Sequence, residues 1–124
     1  MVEKKCIDAG TPKAGPYNHA VKVGDLIFVS GQGPKPGTKG IKEHTMAAFE
    51  NVKTILEAAG AKVSNIVKVT VYLKDMKDFK KMNSAYKKFF NNNGVTEDYP
   101  ARTTVEALSP IESFLIEIDV IAAL

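Results

Sequence analysis

The sequence predicts an α+β domain in which two helices pack on one face of a β-sheet. Two segments, residues 42–59 and 79–90, repeat apolar residues at spacings of three and four, which is typical of amphipathic helices. Six shorter segments are rich in β-branched and aromatic residues, which is typical of strands. Their order, β-β-β-α-β-α-β-β, favours a single domain, and 124 residues are enough for one substantial core.

Three strands are predicted in the first third of the chain, at residues 4–7, 20–23 and 26–30. The second and third form a hairpin around the short turn Gly24-Asp25. The third strand is apolar in both alternating positions, so both of its faces are expected to be covered. Residues 31–40 contain four glycines and two prolines and are therefore predicted to form a loop.

The first helix is predicted over residues 42–59, and Gly60 is expected to end it. Its apolar stripe comprises Met46, Phe49, Val52, Ile55, Leu56 and Ala59. A strand is predicted at residues 66–73, and Asp75 then has the residue type of an N-cap for the second helix. The stripe of that helix comprises Phe79, Met82, Tyr86, Phe89 and Phe90. Residues 91–94 are expected to end it.

The last two predicted strands each carry one charge among apolar residues. Arg102 lies in the strand at 101–105, where it shares a face with Thr104, and Glu117 lies in the strand at 114–118. A charge in such a strand is costly unless it is paired or meets a ligand. Two interpretations are open. The charges are structural, as an ion pair or as ordinary edge-strand residues. Alternatively, they meet in one half-buried place, where Arg102 binds an anion and Glu117 handles a proton.

The predicted sheet has more apolar surface than two helices can cover. The residues expected to face the helices are Phe114, Ile116, Ile118 and Val120. The residues expected on the opposite face are Leu115 and Ile121, together with Ile27, Val29 or Tyr72. Because an uncovered apolar face usually marks an interface, a homo-oligomer is predicted, and small-molecule sites often lie where such subunits meet.

The composition argues against several classes of protein. The net charge of +3 comes from 17 basic and 14 acidic residues spread along the chain, which argues against a nucleic-acid partner. Cys6 is the single cysteine, which favours a reducing compartment. No apolar run approaches the roughly 18 residues of a membrane span. The N-terminus also lacks the apolar core of a signal peptide. A cytoplasmic location is therefore expected, with an organelle left open.

The two histidines carry no catalytic prediction. His19 is expected to be structural, and His44 is expected to be exposed on the first helix. Neither has the spacing of a metal ligand relative to Cys6, so no metal site is predicted.

Several short segments together resemble one family. In chain order they are Gly15-Pro16-Tyr17, Ser30-Gly31-Gln32 with Pro34, Asn51-Val52, Glu57-Ala58-Ala59-Gly60, Val71-Tyr72-Leu73-Lys74-Asp75, Met82-Asn83-Ser84-Ala85-Tyr86, Pro100-Ala101-Arg102 and Ile116-Glu117-Ile118. The most specific feature is Pro-Ala-Arg followed fifteen residues later by Glu, with Ser-Gly-Gln upstream. Over nearly the whole of residues 1–124, the chain resembles the RidA/YjgF family of reactive-intermediate deaminases, whose older labels are endoribonuclease L-PSP and translation inhibitor.

The resemblance implies a chorismate-mutase-like subunit and a homotrimer. The sheets of the trimer would form a central β-barrel, with three ligand clefts between subunits. The implied reaction is hydrolysis of 2-imino acids, such as 2-iminobutanoate and 2-iminopropanoate, to 2-keto acids and ammonia. Pyridoxal-phosphate-dependent dehydratases release these imines, and the deaminase itself would need no cofactor.

The resemblance also implies a role for each matching residue. Arg102 would hold the substrate carboxylate, Glu117 would orient or deprotonate the attacking water, and Tyr17 would help to close the cleft. The other residues expected to line it are Ser30, Gly31 and Asn83. Thr104 stands where the member most often studied has a cysteine, so a hydroxyl would replace a thiol among the binding groups.

Structural roles are the alternative for several of these residues. Tyr17 can pack on its own turn, Asn83 can bond locally within its helix, and Ser30 can simply end a strand. Two alternative functions also stay open. One is a ribonuclease or translation inhibitor, although RNA binding ordinarily uses a basic surface and stacking aromatics. The other is a non-catalytic trimer that binds small carboxylates through the same arginine.

Overall fold

The computed structural model of the chain describes residues 2–124, with six strands and two α-helices. The strands are β1 (Lys4–Ile7), β2 (Ala20–Val23), β3 (Leu26–Gln32), β4 (Ile66–Leu73), β5 (Ala101–Glu106) and β6 (Ile116–Ala123). The helices are α1 (Ile41–Ala58) and α2 (Phe79–Asn92), and 3₁₀ turns at Val63–Asn65 and Met76–Asp78 precede β4 and α2. The α+β class and the predicted order of elements are therefore confirmed.

The strands form one mixed sheet in the order β1-β2-β3-β6-β4-β5. The pair β4–β5 is parallel, and every other neighbouring pair is antiparallel. A parallel pair needs a crossover connection, and α2 supplies it between β4 and β5. Helix α1 contacts α2 and the central strands β3 and β6, so the two helices cover the same face of the sheet.

Phe49 of α1 lies at the centre of the core between the helices and the sheet. Its ring centroid is 4.8 Å from that of Phe89, 5.3 Å from that of Tyr86 and 5.4 Å from that of Phe90. The buried strand residues beneath these rings include Ile27, Val29, Val69, Val71, Leu73, Ile116, Ile118, Val120 and Ala122. The stripes of both helices therefore supply the core as their spacing predicts, except that Phe79 is 37% exposed at the start of α2 and Met46 and Ala59 are only partly buried.

Gly60 ends α1 as predicted, whereas Asp75 caps the 3₁₀ turn before α2 and Asp78 occupies the N-cap position of α2 itself. Gly60 follows α1 with a φ of 83°, which is a conformation that glycine adopts without strain. The next residue, Ala61, donates its N–H to the carbonyl of Leu56 at 2.8 Å, which completes a Schellman motif. Asp75 caps the 3₁₀ turn that leads into α2, because its carboxylate accepts the N–H of Lys77 at 3.0 Å.

The last strand begins later than predicted. Phe114 and Leu115 precede β6, in a turn where the N–H of Phe114 donates to the carbonyl of Ile111 at 3.0 Å. The prediction that both residues lie in the strand is wrong. Leu115 packs against the core from this turn rather than lying on the open face. The apolar run 114–118 is continuous in sequence, so composition alone does not separate its turn from its strand.

The face of the sheet opposite the helices, called the open face below, is not covered by any element within residues 2–124. The prediction that Ile27 and Val29 can lie there is wrong, because they are buried under the helices. Leu26 and Phe28 lie there instead, each 42% exposed. The open face also carries the predicted residues Tyr72 and Ile121. All four residues 26–29 are apolar, so the sequence does not show which alternating pair, Leu26 and Phe28 or Ile27 and Val29, faces the helices.

The two histidines are both buried. His19 is structural, as predicted: its Nδ1 accepts the N–H of Ala9 at 3.0 Å, and its Nε2 lies 2.8 Å from the hydroxyl of Thr11. The prediction that His44 is exposed is wrong. Its Nε2 lies 2.7 Å from the carbonyl of Thr38, and its Nδ1 accepts the N–H of Leu115 at 3.3 Å. Contacts between segments distant in sequence therefore bury His44.

None of the helices in residues 2–124 has both the length and the apolar character needed to span a membrane. The same residues contain no group of three or more histidine, cysteine, aspartate or glutamate side chains placed to hold a metal ion.

Candidate active site

Arg102 points from the edge strand β5 toward helix α2. It pairs in register with Val69, which is fully buried on the helix face of the sheet. The guanidinium carbon lies 4.7 Å from the ring centroid of Tyr86 and 5.6 Å from that of Phe79. These distances are within cation–π range, so two aromatic side chains of α2 fix the orientation of the guanidinium.

The guanidinium of Arg102 has no acidic partner. Within residues 2–124, no carboxylate oxygen lies within 4.0 Å of it, and its one polar side-chain contact is Nη1 to the sulfur of Met82 at 4.0 Å. An arginine is always charged, and half-burying it without a counter-ion is unfavourable. Its donors are therefore available for an external anion, and a planar fork suits a carboxylate.

Three buried polar atoms on α2 and β5 lack hydrogen-bond partners in residues 2–124. They are Oδ1 of Asn83, Oη of Tyr86 and Oγ1 of Thr104. Each unsatisfied buried polar group costs about 1–3 kcal/mol, so this region is incomplete as a single chain. Asn83 and Thr104, both predicted as ligand-binding residues, thus lie on the same side of the sheet as Arg102.

Burial raises the pKa of Tyr86 to about 12, although the positive charge of Arg102 acts in the opposite direction. The phenol therefore stays protonated and neutral at physiological pH. It can donate a hydrogen bond to a ligand or to water, but it cannot serve as a base there.

Glu117 projects from the open face. Its neighbours on β6, Ile116 and Ile118, are buried on the helix face, and it pairs in register with Tyr72. Its Oε1 accepts a hydrogen bond from the hydroxyl of Ser109 at 3.2 Å. The carboxylate therefore already has one fixed donor within the chain.

Gly31 of β3 lies against the carboxylate of Glu117. A Cβ atom on Gly31 would stand 3.0 Å from Cδ of Glu117 and 3.1 Å from its Oε2. The register between β3 and β6 shifts between Val29 and Gln32, which places the backbone of Gly31 in this position. A Cβ atom at this position would press on the carboxylate, so the absence of a side chain at Gly31 permits this close approach and the predicted residues Gly31 and Glu117 are brought together.

Ser30 is hydrogen-bonded to Asn18 and His19, the two residues that directly follow Tyr17. The Ser30 hydroxyl donates to the carbonyl of Asn18 at 2.6 Å, and its N–H donates to the carbonyl of His19 at 3.0 Å. The Tyr17 ring is 41% exposed, and its hydroxyl accepts the N–H of Ala14 at 3.1 Å. Within one chain Tyr17 thus packs on its own turn, with one side of the ring free.

The predicted residues therefore fall into two groups rather than one site. The arginine half consists of Arg102, Asn83 and Thr104, on the helix side of β5. The glutamate half consists of Ser30, Gly31 and Glu117 on β3 and β6, together with Tyr17, which lies in the loop before β2 beside the residues that Ser30 bonds. The prediction that Arg102 and Glu117 meet within one sheet is wrong for a single chain, and so is the alternative of a structural ion pair. The pairing of β5 with β4 decides which way Arg102 points.

Sequence reasoning missed three residues that support these groups. Ser109 stands directly before Pro110, a pair typical of a turn, and nothing in its spacing indicates a hydrogen bond to Glu117. Phe79 and Tyr86 were predicted as core residues, and a helical spacing of seven places them on one face of α2. Their use as a platform for Arg102 depends on tertiary contact.

The chain is similar to known proteins over most of its length. A profile of the family described as Endoribonuclease L-PSP matches residues 9–124. A RutC family protein of Pyrococcus abyssi is 50% identical over 114 residues, which cover 87% of this chain and 86% of the relative. The 2-iminobutanoate/2-iminopropanoate deaminase of Salmonella typhimurium is 42% identical over 113 residues, which cover 87% of each chain.

The fold is also shared with solved structures. The crystal structure of Escherichia coli TdcF with bound serine superposes with a TM-score of 0.87 at 37% identity. The superposition covers 97% of this chain and 98% of that one. Profile, sequence and structure agree over nearly the full length. The chain therefore belongs to the Endoribonuclease L-PSP family, which is the RidA/YjgF family that its motifs resemble.

Proposed function

We propose that this chain, as one RidA-like domain, is a hydrolase that deaminates small 2-imino acids without a cofactor. Its substrates would be 2-iminobutanoate and 2-iminopropanoate, and its products 2-keto acids and ammonia. The observation that carries the proposal is Arg102, a half-buried guanidinium held on two aromatic rings with no acidic partner in residues 2–124. The name of the Salmonella relative and the serine bound to TdcF both support a small carboxylate ligand.

The proposed assembly is a homotrimer whose active sites lie between subunits. Two features support it. First, the open face exposes apolar side chains such as Leu26 and Phe28, and packing three such faces together would form a central barrel. Second, the arginine half and the glutamate half lie on opposite faces of one sheet, so a complete site takes one half from each of two neighbouring subunits.

In the proposed reaction, Arg102 binds the substrate carboxylate through two parallel hydrogen bonds and fixes the imine carbon in place. Glu117 of the neighbouring copy accepts a proton from water as the water oxygen attacks that carbon. A carbon–oxygen bond forms, and the C=N electron pair moves to nitrogen, which takes up a proton. As the tetrahedral carbinolamine collapses, its hydroxyl proton passes to nitrogen and the C–N bond breaks, which releases ammonia and the 2-keto acid. An imine carbon is already electrophilic, so positioning and one base suffice.

The other residues of the two halves would complete the cleft. Thr104 and Asn83 would satisfy their buried polar atoms against the ligand or ordered water. Tyr17, whose ring is partly exposed, would close over the bound substrate. The single cysteine fits a reducing compartment, so we place the reaction in the cytoplasm.

The test couples a threonine dehydratase to detection of 2-ketobutyrate, with semicarbazide as a trap for the imine. Addition of the protein should speed keto-acid formation and reduce formation of the semicarbazone. The Arg102→Ala substitution should weaken binding of 2-ketobutyrate by about 100-fold, because a bidentate charged pair contributes about 3 kcal/mol. Lys80→Ala, which removes an exposed cation from α2, is the matched control and should behave as the wild type.

The remaining outcomes separate the alternatives. Binding of 2-ketobutyrate without any effect on the imine would indicate a non-catalytic carboxylate-binding protein. Cleavage of RNA by the purified protein that disappears in Arg102→Ala would indicate a ribonuclease. An unchanged rate of keto-acid formation in the presence of the wild-type protein would contradict the deaminase proposal.

A further inference from the structure

Ser109 lies in the segment between β5 and β6, residues 107–115, which the structure ties down at both ends. At one end the N–H of Ala107 donates to the carbonyl of Leu73 at 2.9 Å. At the other end the carbonyl of Leu115 accepts the N–H of Lys74 at 3.0 Å, and the N–H of Leu115 donates to His44 at 3.3 Å. These bonds hold the segment beside the start of β6, where Glu117 is the second residue of the strand.

The hydroxyl proton of Ser109 has one available direction. The oxygen accepts the N–H of Ile111 at 3.2 Å, and the hydroxyl lies 3.2 Å from Oε1 of Glu117. A serine hydroxyl carries one proton and two acceptor sites. With the N–H of Ile111 at one acceptor site, the proton points to the carboxylate. Ser109 is therefore a donor to Glu117 and not an acceptor from it.

The two oxygens of Glu117 are thus distinguished. Oε1 is bound by Ser109, whereas Oε2 faces the backbone of Gly31, where a Cβ atom would stand only 3.1 Å away. No side chain in residues 2–124 donates a hydrogen bond to Oε2. The carboxylate is held between a hydroxyl on one side and a glycine on the other, with one oxygen left for an external proton donor.

We propose that Ser109 is a positioning residue for the reaction, which orients Glu117 so that Oε2 is the oxygen that takes the proton from water. This inference rests on the proposed deaminase function. Ser109 itself contacts neither substrate nor water in this scheme and acts only through the carboxylate. Loss of its hydroxyl leaves the carboxylate free to rotate in the slot beside Gly31, so the rate of the chemical step falls while the arginine half still binds substrate.

The test compares Ser109→Ala, Ser109→Thr and Ser113→Ala in the coupled imine assay. Ser109→Ala should lower kcat by about ten-fold, the lower end of the effect of one hydrogen bond to a charged group, with KM changed by less than about two-fold. Ser109→Thr keeps the hydroxyl and should recover most of the loss. Ser113→Ala changes an exposed serine of the same segment and should match the wild type.

A second comparison separates a positioning role from a general loss of structure. In a Glu117→Gln background, Ser109→Ala should not lower the residual rate further, because the group that it orients is already absent. An equal loss in both backgrounds, or wild-type kcat in Ser109→Ala, would overturn the role of Ser109 while leaving the deaminase proposal intact. Absence of imine hydrolysis by the wild-type protein would overturn both proposals.

Discussion

Arg102 and Glu117 lie on opposite faces of one sheet, on strands separated by β4. Arg102 pairs in register with Val69, which is buried beneath α2, whereas Glu117 pairs with Tyr72 on the open face. Val69 and Tyr72 are three residues apart on β4, so their side chains point to opposite sides. A change of rotamer within one chain does not bring the two groups together across the sheet. A reaction that uses both groups therefore needs two copies of the chain.

This geometry predicts complementation between two impaired variants. Arg102→Ala lacks the guanidinium proposed to bind substrate and Glu117→Gln lacks the carboxylate proposed as the base, so each protein alone should retain only a small residual rate in the imine assay. When the two are unfolded, mixed in equal amounts and refolded, about a quarter of the shared sites in random hybrids of the proposed trimer should combine an intact arginine half with an intact glutamate half. The mixture should therefore recover up to about a quarter of the wild-type rate.

The control for complementation is the double variant, with both changes in one chain. Mixed with either single variant, it supplies neither half of the site that its partner lacks, so no activity should return. Each protein is first checked by sedimentation for the same oligomeric state as the wild type. Failure of the mixed variants to recover activity, with hybrid oligomers demonstrated, would contradict a site shared between subunits.

The sequence predicts the framework of this fold better than the direction of individual side chains. The apolar stripes predict where α1 and α2 lie in the sequence and which face of each is buried, because a period near 3.6 residues is a local property of the chain. The orientation of Phe28 depends instead on the register of a strand that is apolar in every position. For such a strand either set of alternate residues could face the helices, and only the pairing with neighbouring strands selects one set.

The same limit applies to the candidate site. The types and spacing of Arg102 and Glu117 identify them as unusual charges, and the family resemblance assigns them roles. Their separation onto two faces follows from a parallel pairing of β4 with β5, which links segments about thirty residues apart in sequence. The hydrogen bond from Ser109 to Glu117 and the burial of His44 against Leu115 likewise depend on how residues 107–115 fold back.

Gly31→Ala is predicted to impair catalysis with little loss of stability. The new Cβ atom would stand 3.0 Å from Cδ of Glu117, so the carboxylate must move by a few tenths of an ångström. Gly31 does not have a positive φ, so alanine fits its backbone without strain. We expect kcat to fall about ten-fold through this misplacement, with binding of 2-ketobutyrate to the arginine half retained. An unaltered kcat in the coupled assay would contradict the slot described for Glu117.

Gly33→Ala should act on stability instead. An added Cβ atom would overlap the ring of Phe114, so the ring and the turn before β6 must shift. Overpacking of this kind costs about 1–3 kcal/mol, and we expect the free energy of unfolding in urea to fall by that amount. The effect should largely vanish in a Phe114→Ala background, since the overlapping ring is gone. Equal losses with and without the ring would show that another contact is responsible.

Tyr86→Phe is predicted to reduce the sensitivity of the fold to alkaline pH. Burial raises the pKa of Tyr86 from 10.0 to about 12. Below pH 10 the hydroxyl is protonated in both the folded and the unfolded chain. As the pH rises from 10 toward 12, the unfolded chain loses this proton while the folded chain retains it, so the folded state loses stability. The phenylalanine variant lacks this titration, and its free energy of unfolding should fall less steeply over that interval.

Tyr72→Phe provides the matched contrast for this last prediction. The pKa of Tyr72 is also raised, by burial and then by its hydrogen bond to Asp119. The free energy of unfolding of Tyr72→Phe should therefore also fall less steeply at alkaline pH than that of the wild type.

The two variants should differ at pH 7. Tyr72 donates to Asp119 at 3.0 Å, and loss of that bond should cost about 1 kcal/mol. The Tyr86 hydroxyl has no partner in residues 2–124, so Tyr86→Phe should be neutral or slightly stabilising. Urea unfolding of both variants at pH 7 and pH 11 measures each difference, and a loss at pH 7 in Tyr86→Phe comparable to that in Tyr72→Phe would show that its hydroxyl is already satisfied.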